Sequence, residues 1–363
     1  MKKGNKPDIF LLVLIFLFVL VGILALATVS VPASLKITGS GTYYLFHQLL
    51  YGFLPGIIIG LIIYFKIPLK YIKKMALPVF IISYILMFLV LIPGIGRTEL
   101  GASRWADIGP FSFQPSELLK LTSIIYLSAL LSSLKQRNIF ITFLFFVALI
   151  FISLIVQNNL STLFIISSIS FIIFLSANTK IKYNIILWSL SLLGFLMMII
   201  FAPYRMQRIT TYLNPETDIL GAGYQSRQSM ISIGSGGLFG IGLGLSEQKY
   251  GFVSQPMSDC IFAVFAEETG FIGASLLVIM FLVFSYTCFS IAKKEPDTFL
   301  RLVVIGIGSW IPIQAFVNIG AMVNILPLSG TPLPFLSYGG THIVLELIAC
   351  SILLKISSNH SSC

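Results

Sequence analysis

The chain has 363 residues, of which 57% are hydrophobic and only 10% charged, with a formal net charge of +10. Soluble domains carry roughly 25% charged residues. The composition therefore excludes a water-soluble enzyme and points to an all-α integral membrane protein, a single polytopic domain over residues 1–363. The basic excess would suit a nucleic-acid partner, but its placement along the chain reads as membrane topology instead.

Runs of about 20 apolar residues mark candidate spans. Ten are predicted, at about 9–31, 45–65, 76–93, 116–134, 139–156, 160–178, 183–202, 262–291, 299–322 and 334–356. The first exceeds a signal-peptide core and lacks a clear small-residue cleavage site, so it is expected to be retained. On the second, Gly52, Gly56 and Gly60 recur every four residues. That is a small-residue stripe for a neighbouring helix or for a partner's helix. Gln157 to Asn159 alone join the fifth and sixth spans in a tight turn.

With N- and C-termini cytoplasmic, most lysines and arginines fall on the inner side, among them Lys66, Lys70, Lys73, Lys74, Lys293 and Lys294. Such a bias implies anionic lipid and no nucleic acid as partner. Two outer segments stand out: one at about 93–115, and a large extracellular loop between helices 7 and 8 at about 202–258. The larger contains "SMISIGSGGLFGIGLG" and is expected to be ordered and partly packed on the bilayer surface. Its glycines match neither the dinucleotide-binding nor the P-loop spacing, and close packing is the reading they support. Of Cys260, Cys288, Cys350 and Cys363 only the first is placed near the outer face, so no disulfide is predicted; His47, His342 and His360 are scattered.

The residues able to do chemistry gather near "QPMSDCIFAVFAEETGFIGA", Gln255 to Ala274. Charges in a bilayer are costly and read by default as functional. Asp259 falls where the long loop meets the eighth span. It is either a plain N-cap, shared with Ser258, or a general base or metal ligand at the water boundary. Glu267 and Glu268 lie about two turns deeper, and adjacent helical residues cannot face one partner. They are either a buried structural pair or the support of a polar cavity. In "SFQPSELLKL" Pro115 suits a helix start. Glu117 and Lys120, three apart, share a face. Lys120 either neutralises Glu117 or reaches Asp259 or an anionic group of a substrate.

Four segments, "GASRWADIGPFSFQPSELLKL", "PYRMQRITTYLNPETDILGAGYQSRQSMISIGSGGLFGIGLG", "SDCIFAVFAEETGFIGA" and "LPLSGTPLPFLSYGGT", resemble the shape, elongation, division and sporulation (SEDS) proteins FtsW, RodA and SpoVE. The resemblance implies a ten-span peptidoglycan glycosyltransferase that polymerises lipid II on the outer face of the bacterial cytoplasmic membrane. It also implies a class B penicillin-binding protein as partner, within the division or elongation machinery. The family's essential acid maps onto Asp259 of "SDCIFA". Arg104 and Trp105 match its "RRW". Gln114, Pro115, Ser116, Glu117 and Lys120 match "QPSELxK". Arg205 and Arg208 match its basic pair, and Pro332, Pro334, Ser337, Tyr338, Gly339 and Gly340 its last outer-loop motif. The resemblance thus makes Asp259 catalytic and Lys120, Glu117, Arg104, Trp105, Arg205, Arg208 and Ser337 substrate-binding.

The short stretch before Asp259 looks more like FtsW or SpoVE than RodA. Three positions depart from the pattern: Cys260 for the usual Phe, Met257 for His or Asn, and Asn159 for an Asp. Leaving-group charge would be met by Lys120, Arg205 and Arg208, or by a divalent cation (Mg2+ or Mn2+) held partly by Asp259. The rival readings are a lipid II flippase and a non-catalytic scaffold for the penicillin-binding protein. Short inner loops weigh against the first, and the second would leave Asp259 dispensable.

Overall fold

A computed structural model describes residues 6–92, 96–99, 102–108, 111–133, 139–157, 159–177 and 221–359, with isolated positions at 183, 185, 186, 189 and 212. Helix α1 (Ile9–Val29) starts where the Asp8 side chain accepts from the Leu11 N–H at 3.0 Å. After the short α2 (Val31–Thr38), α3 (Tyr43–Gln48) runs through a π-helical turn, Leu49–Phe53, into α4 (Leu54–Lys66). Then come α5 (Leu69–Leu89), α6 (Pro115–Ser133), α7 (Ile139–Val156) and α8 (Leu160–Ser176). The chain continues as α9 (Ala222–Ser235), α10 (Ile261–Lys294), α11 (Thr298–Met322) and α12 (Gly340–Ser358).

Among the described residues, six helical stretches are long and apolar enough to cross a membrane: α1, α3 with α4, α5, α10, α11 and α12; α7 and α8 are shorter apolar helices. The predicted seventh span, 183–202, lies almost wholly outside the described residues. Two boundaries differ from those read in the sequence. Helix α5 starts at Leu69 and not near 76, because lysines are good helix formers whose stems can lie along an apolar surface. Helix α12 starts at Gly340 and not near 334. Pro332 and Pro334 lack amide donors, and the segment ahead of the helix stays irregular.

The first outer loop is not helical. It folds into β1 (Gly96–Glu99), β2 (Ala102–Ile108) and β3 (Phe111–Phe113), antiparallel in that order, with Trp105 opposite Arg97 and Ala106 opposite Phe113. Counting apolar runs does not register such strands, which are short, mixed in polarity and punctuated by Gly101 and Gly109. Both ends of the helical body share one face, where the Asp8 N–H donates to Ser357 Oγ at 3.1 Å. Lys355 Nζ donates there to the carbonyls of Ile63 and Tyr64, at 2.9 and 2.6 Å. The sheet and the start of α10 lie at the opposite face.

Helix α11 is the hub. Trp310, Ile311 and Ala315 are fully buried, and α10, α6 and α8 pack around it. The glycine stripe serves a neighbour within the chain. A Cβ on Gly56 would meet Leu347 at 2.7 Å, and one on Gly60 would meet Ser351 Oγ at 2.3 Å, so α4 lies directly on α12.

Helix α10, with 34 residues, would be about 50 Å long if straight, against a hydrocarbon core of about 30 Å. It breaks at Gly270 (φ 69°, ψ −171°). The glycine-rich loop after α9 enters the break. The Ile241 and Gly242 N–H groups donate to the carbonyls of Glu267 and Glu268, and those of Phe271 and Ile272 donate to Gly237 and Leu238. A non-helical backbone survives at membrane depth only with its polar groups satisfied in this way. At Gly270 an added Cβ would stand 2.2 Å from Gly240 N. Gly270→Ala is therefore expected to cost at least ~1–3 kcal/mol through backbone strain alone. A thermal unfolding midpoint in detergent well below wild type would register this; an unchanged midpoint would refute it.

Candidate active site

Asp259 sits just before α10, in a segment kept out of the helix by Pro256 and by Gln255 at φ 53°. The N-cap position belongs to Cys260, whose side chain makes no capping bond. The plain N-cap reading of Ser258 and Asp259 is corrected accordingly: Ser258 Oγ donates to Gln255 Oε1 at 3.1 Å. Three successive carbonyls suspend the segment. Met257 O accepts from the Tyr338 N–H at 2.7 Å, Ser258 O from Ser337 Oγ at 2.6 Å, and Asp259 O from Asn318 Nδ2 at 2.8 Å. The Asp259 side chain, partly exposed, packs beside Gly330, where an added Cβ would lie 3.6 Å from Oδ2.

Glu117 and Lys120 form an ion pair at 2.8 Å in the first turns of α6, with only 2% and 1% of each residue exposed. Lys120 also donates to Gln314 Oε1 and lies 5.5 Å from the centre of the Trp310 ring. Trp310 Nε1 donates to the same Gln314 oxygen at 2.9 Å, and Gln314 Nε2 donates to Pro332 O at 3.0 Å. Of the two roles the sequence left open for Lys120, the structure shows the buried ion pair with Glu117. Substrate contact by either residue would require the packing around this buried pair to open.

Ser337 is fully buried and its hydroxyl serves two backbone groups, Ser258 O and the Leu333 N–H, the latter at 2.7 Å. In this structure it shapes the loop that carries it. Arg104 and Trp105, both half-buried, lie on β2. Their sheet is tied to α12 through Thr341, whose hydroxyl donates to Ser112 O at 3.0 Å and accepts from the Gln114 N–H at 3.3 Å. Arg205 and Arg208 lie outside the described residues. Asn159, standing where an Asp was expected, caps α8 by accepting from the Thr162 N–H and donates to Ser116 Oγ, both at 3.3 Å.

Glu267 and Glu268 are buried structural acids with separate partners, and they do not line an outward cavity. Glu267 Oε2 accepts from Ser232 and Ser246 hydroxyls at 2.8 and 2.6 Å. Glu268 accepts from Thr28 Oγ1 at 2.7 Å and pairs with Lys249 Nζ at 2.9 Å. Their partners lie on α9, on the glycine-rich loop and on α1, so they lock that loop into the helix break.

Cys260, Cys288 and Cys350 are free and buried, while Cys363 lies outside the described residues. Burial pushes the Cys260 thiol up to about 11, against opposing hydrogen bonds from Gln225 and Ser229. The thiolate is the reactive form. Folded protein is expected to leave Cys260 unmodified by iodoacetamide at pH 7.5, as mass spectrometry of tryptic peptides would show; rapid labelling would contradict the burial. Burial likewise holds the Tyr338 phenol well above its usual value, and its hydroxyl meets His47 Nδ1 at 2.8 Å.

The sequence reading missed Gln314 and Asn318. Their signal is "WIPIQAFVNIG": two amides four apart inside an apolar span, where a polar side chain needs an interhelical partner. Among the described residues, no group of three or more His, Cys, Asp or Glu is placed to hold a metal ion.

Comparison with known proteins agrees with this architecture. The chain is 36% identical over 362 residues to stage V sporulation protein E of Bacillus subtilis (strain 168), covering 98% of both proteins. It is 32% identical to the probable peptidoglycan glycosyltransferase FtsW of Geobacter sp. (strain M18), covering 99% of this chain and 98% of that one. Its fold matches a chain of a peptidoglycan synthase complex with a TM-score of 0.82 at 22% identity, covering 98% of this chain and 99% of that one. It also matches the Thermus thermophilus rod shape determining protein RodA, with a TM-score of 0.72 at 22% identity and coverage of 98% and 97%. The sequence model for the FtsW, RodA and SpoVE cell-cycle proteins spans residues 8–362, and the chain belongs to that family.

Proposed function

We propose that the protein is a peptidoglycan glycosyltransferase of the bacterial cytoplasmic membrane, polymerising lipid II with Asp259 as general base. The observation carrying this reading is the geometry at Asp259: a partly exposed carboxylate at the end of a membrane helix, its main chain held by three hydrogen bonds. Lipid II joins an undecaprenyl tail that must stay in hydrocarbon to a disaccharide-peptide that must meet water. A base at that boundary suits both halves. Asp259 removes the proton from the 4-hydroxyl of the acceptor's glucosamine unit. The freed oxygen attacks C1 of the donor's muramyl sugar with inversion, and undecaprenyl diphosphate departs with its electron pair.

The lysines Lys66, Lys293 and Lys294, at helix ends away from Asp259 and on the side where Asp8 meets Ser357, support a cytoplasmic assignment for that face. Asp259 then faces outward. Among the described residues, a divalent cation, Mg2+ or Mn2+, would take Asp259 as its protein carboxylate, with substrate phosphates and water as further donors, a sharing usual for Mg2+. It would neutralise diphosphate charge. Arg205 and Arg208, from the long loop, are proposed for the same task, and Arg104 and Trp105 for holding the sugar-peptide. The partner proposed is a class B penicillin-binding protein, in keeping with the synthase complex whose fold is shared. The short stretch before Asp259 and the FtsW and SpoVE relatives favour a division-type role.

The test is polymerisation of fluorescent lipid II by purified protein, with and without the penicillin-binding protein and with EDTA and Mg2+ arms. Long glycan strands support the reading. No polymer under any condition, from folded and partner-bound protein, would shift the assignment to a flippase or a scaffold.

A further inference from the structure

Trp310, Gln314 and Asn318 follow one another at intervals of four on α11, so they share one face of the helix. Gln314 and Asn318 are 0% and 1% exposed. Their amides meet two regions that the sequence treated separately. Gln314 takes the Lys120 ammonium and the Trp310 indole on its oxygen and gives its NH2 to Pro332 O. One turn on, Asn318 places its NH2 between Thr331 O at 2.7 Å and Asp259 O at 2.8 Å. Both protons of that nitrogen are thereby used, one on each segment. The bridged segments are the one that carries Asp259 and the one that holds Gly330 beside its carboxylate.

We infer that Asn318 is a positioning residue for Asp259. It pins the main chain of the base to the loop that forms its wall, while Gln314 fixes that loop to the Glu117–Lys120 pair. The inference rests on the glycosyltransferase reading above. The chemistry at position 318 is demanding. Two carbonyls facing one side chain require two donors on a single atom, which Asn supplies and Asp, Ser or Leu does not. An Asp there would aim acceptors at acceptors. Reaction geometry is sensitive at this scale, since a shift of about 1 Å in a catalytic group can cost about 10²-fold in rate.

The experiment compares Asn318→Ala and the isosteric Asn318→Asp with wild type. Lipid II polymerisation kinetics are read beside the thermal midpoint and co-purification of the penicillin-binding protein. For a variant that keeps its midpoint and partner, kcat is expected to fall about 10²-fold with KM within about twofold. In the background of Asp259→Asn, the same substitution is expected to add no further loss, because Asn318 acts through Asp259. Wild-type kcat in a folded Asn318 variant overturns the inference, as does an additive loss in the double variant. Failure of both variants to fold assigns Asn318 to the fold alone and overturns it as well. Absence of polymer from wild type overturns the underlying reading instead, a distinguishable result.

Discussion

Asp259→Asn is expected to lower the rate of lipid II polymerisation by about 10²–10⁴-fold, the usual worth of a positioned general base. The substitution is nearly isosteric and removes the carboxylate's charge together with its ability to take a proton. It leaves the main-chain anchors in place, because Asn318, Ser337 and Tyr338 all bind carbonyls of residues 257–259 and not the carboxylate. The neighbouring Cys260 is wholly buried and stays under its α9 contacts with Gln225 and Ser229. The thermal midpoint and binding of the penicillin-binding protein are therefore expected to match wild type while polymer disappears. Initial rates from gel-resolved fluorescent glycan strands make the measurement. Polymerisation at the wild-type rate would remove Asp259 from the chemistry.

The second large effect concerns stability. Lys120→Met is expected to destabilise the protein by about 3–5 kcal/mol, because it leaves the Glu117 carboxylate buried without its counter-charge. Gln314 Oε1 would at the same time lose one of its two donors and keep Trp310. Replacing both charges, as Glu117→Gln with Lys120→Met, is expected to recover most of that loss, since a buried ion pair contributes little beyond its own desolvation cost. Thermal or denaturant unfolding of the single and double variants in the same detergent separates the outcomes. Equal midpoints for the two would show that the pair is hydrated. Lys120 would then be available to substrate, as the sequence reading allowed. The distinction bears on mechanism, because a locked pair holds α6, α11 and the Pro332 loop in register and acts on the reaction only through that scaffold.

The sequence by itself determined the solvent of this protein, the apolar helices found among the described residues, and which acid at the water boundary to propose as the base. Uninterrupted apolar runs have one stable outcome in hydrocarbon, a helix with every main-chain bond closed within itself. Such segments as Ile9–Val29 and Thr298–Met322 were therefore legible without knowledge of their neighbours. The family motifs singled out Asp259, and a spacing of three put Glu117 and Lys120 on one helix face without choosing Lys120's partner.

Tertiary structure decided everything that depends on partners distant in sequence. The sheet at Gly96–Phe113 needs cross-strand pairing that no apolar count registers. The break at Gly270 is permitted only because a loop from residues 236–242 satisfies the freed amides and carbonyls. Glu267 and Glu268 could not be assigned from their own helix, since their partners lie on α9, on the glycine-rich loop and on α1. Ser337, expected to touch substrate, turned inward to hold Ser258. Gln314 and Asn318, ordinary amides in an apolar run, became junction residues only when α6, α10 and the Thr331–Pro332 segment converged on one face of α11. Local physics fixes which residues enter the membrane, because that cost is charged segment by segment. Which buried polar groups meet is settled by packing, because each must find its complement wherever the fold brings one.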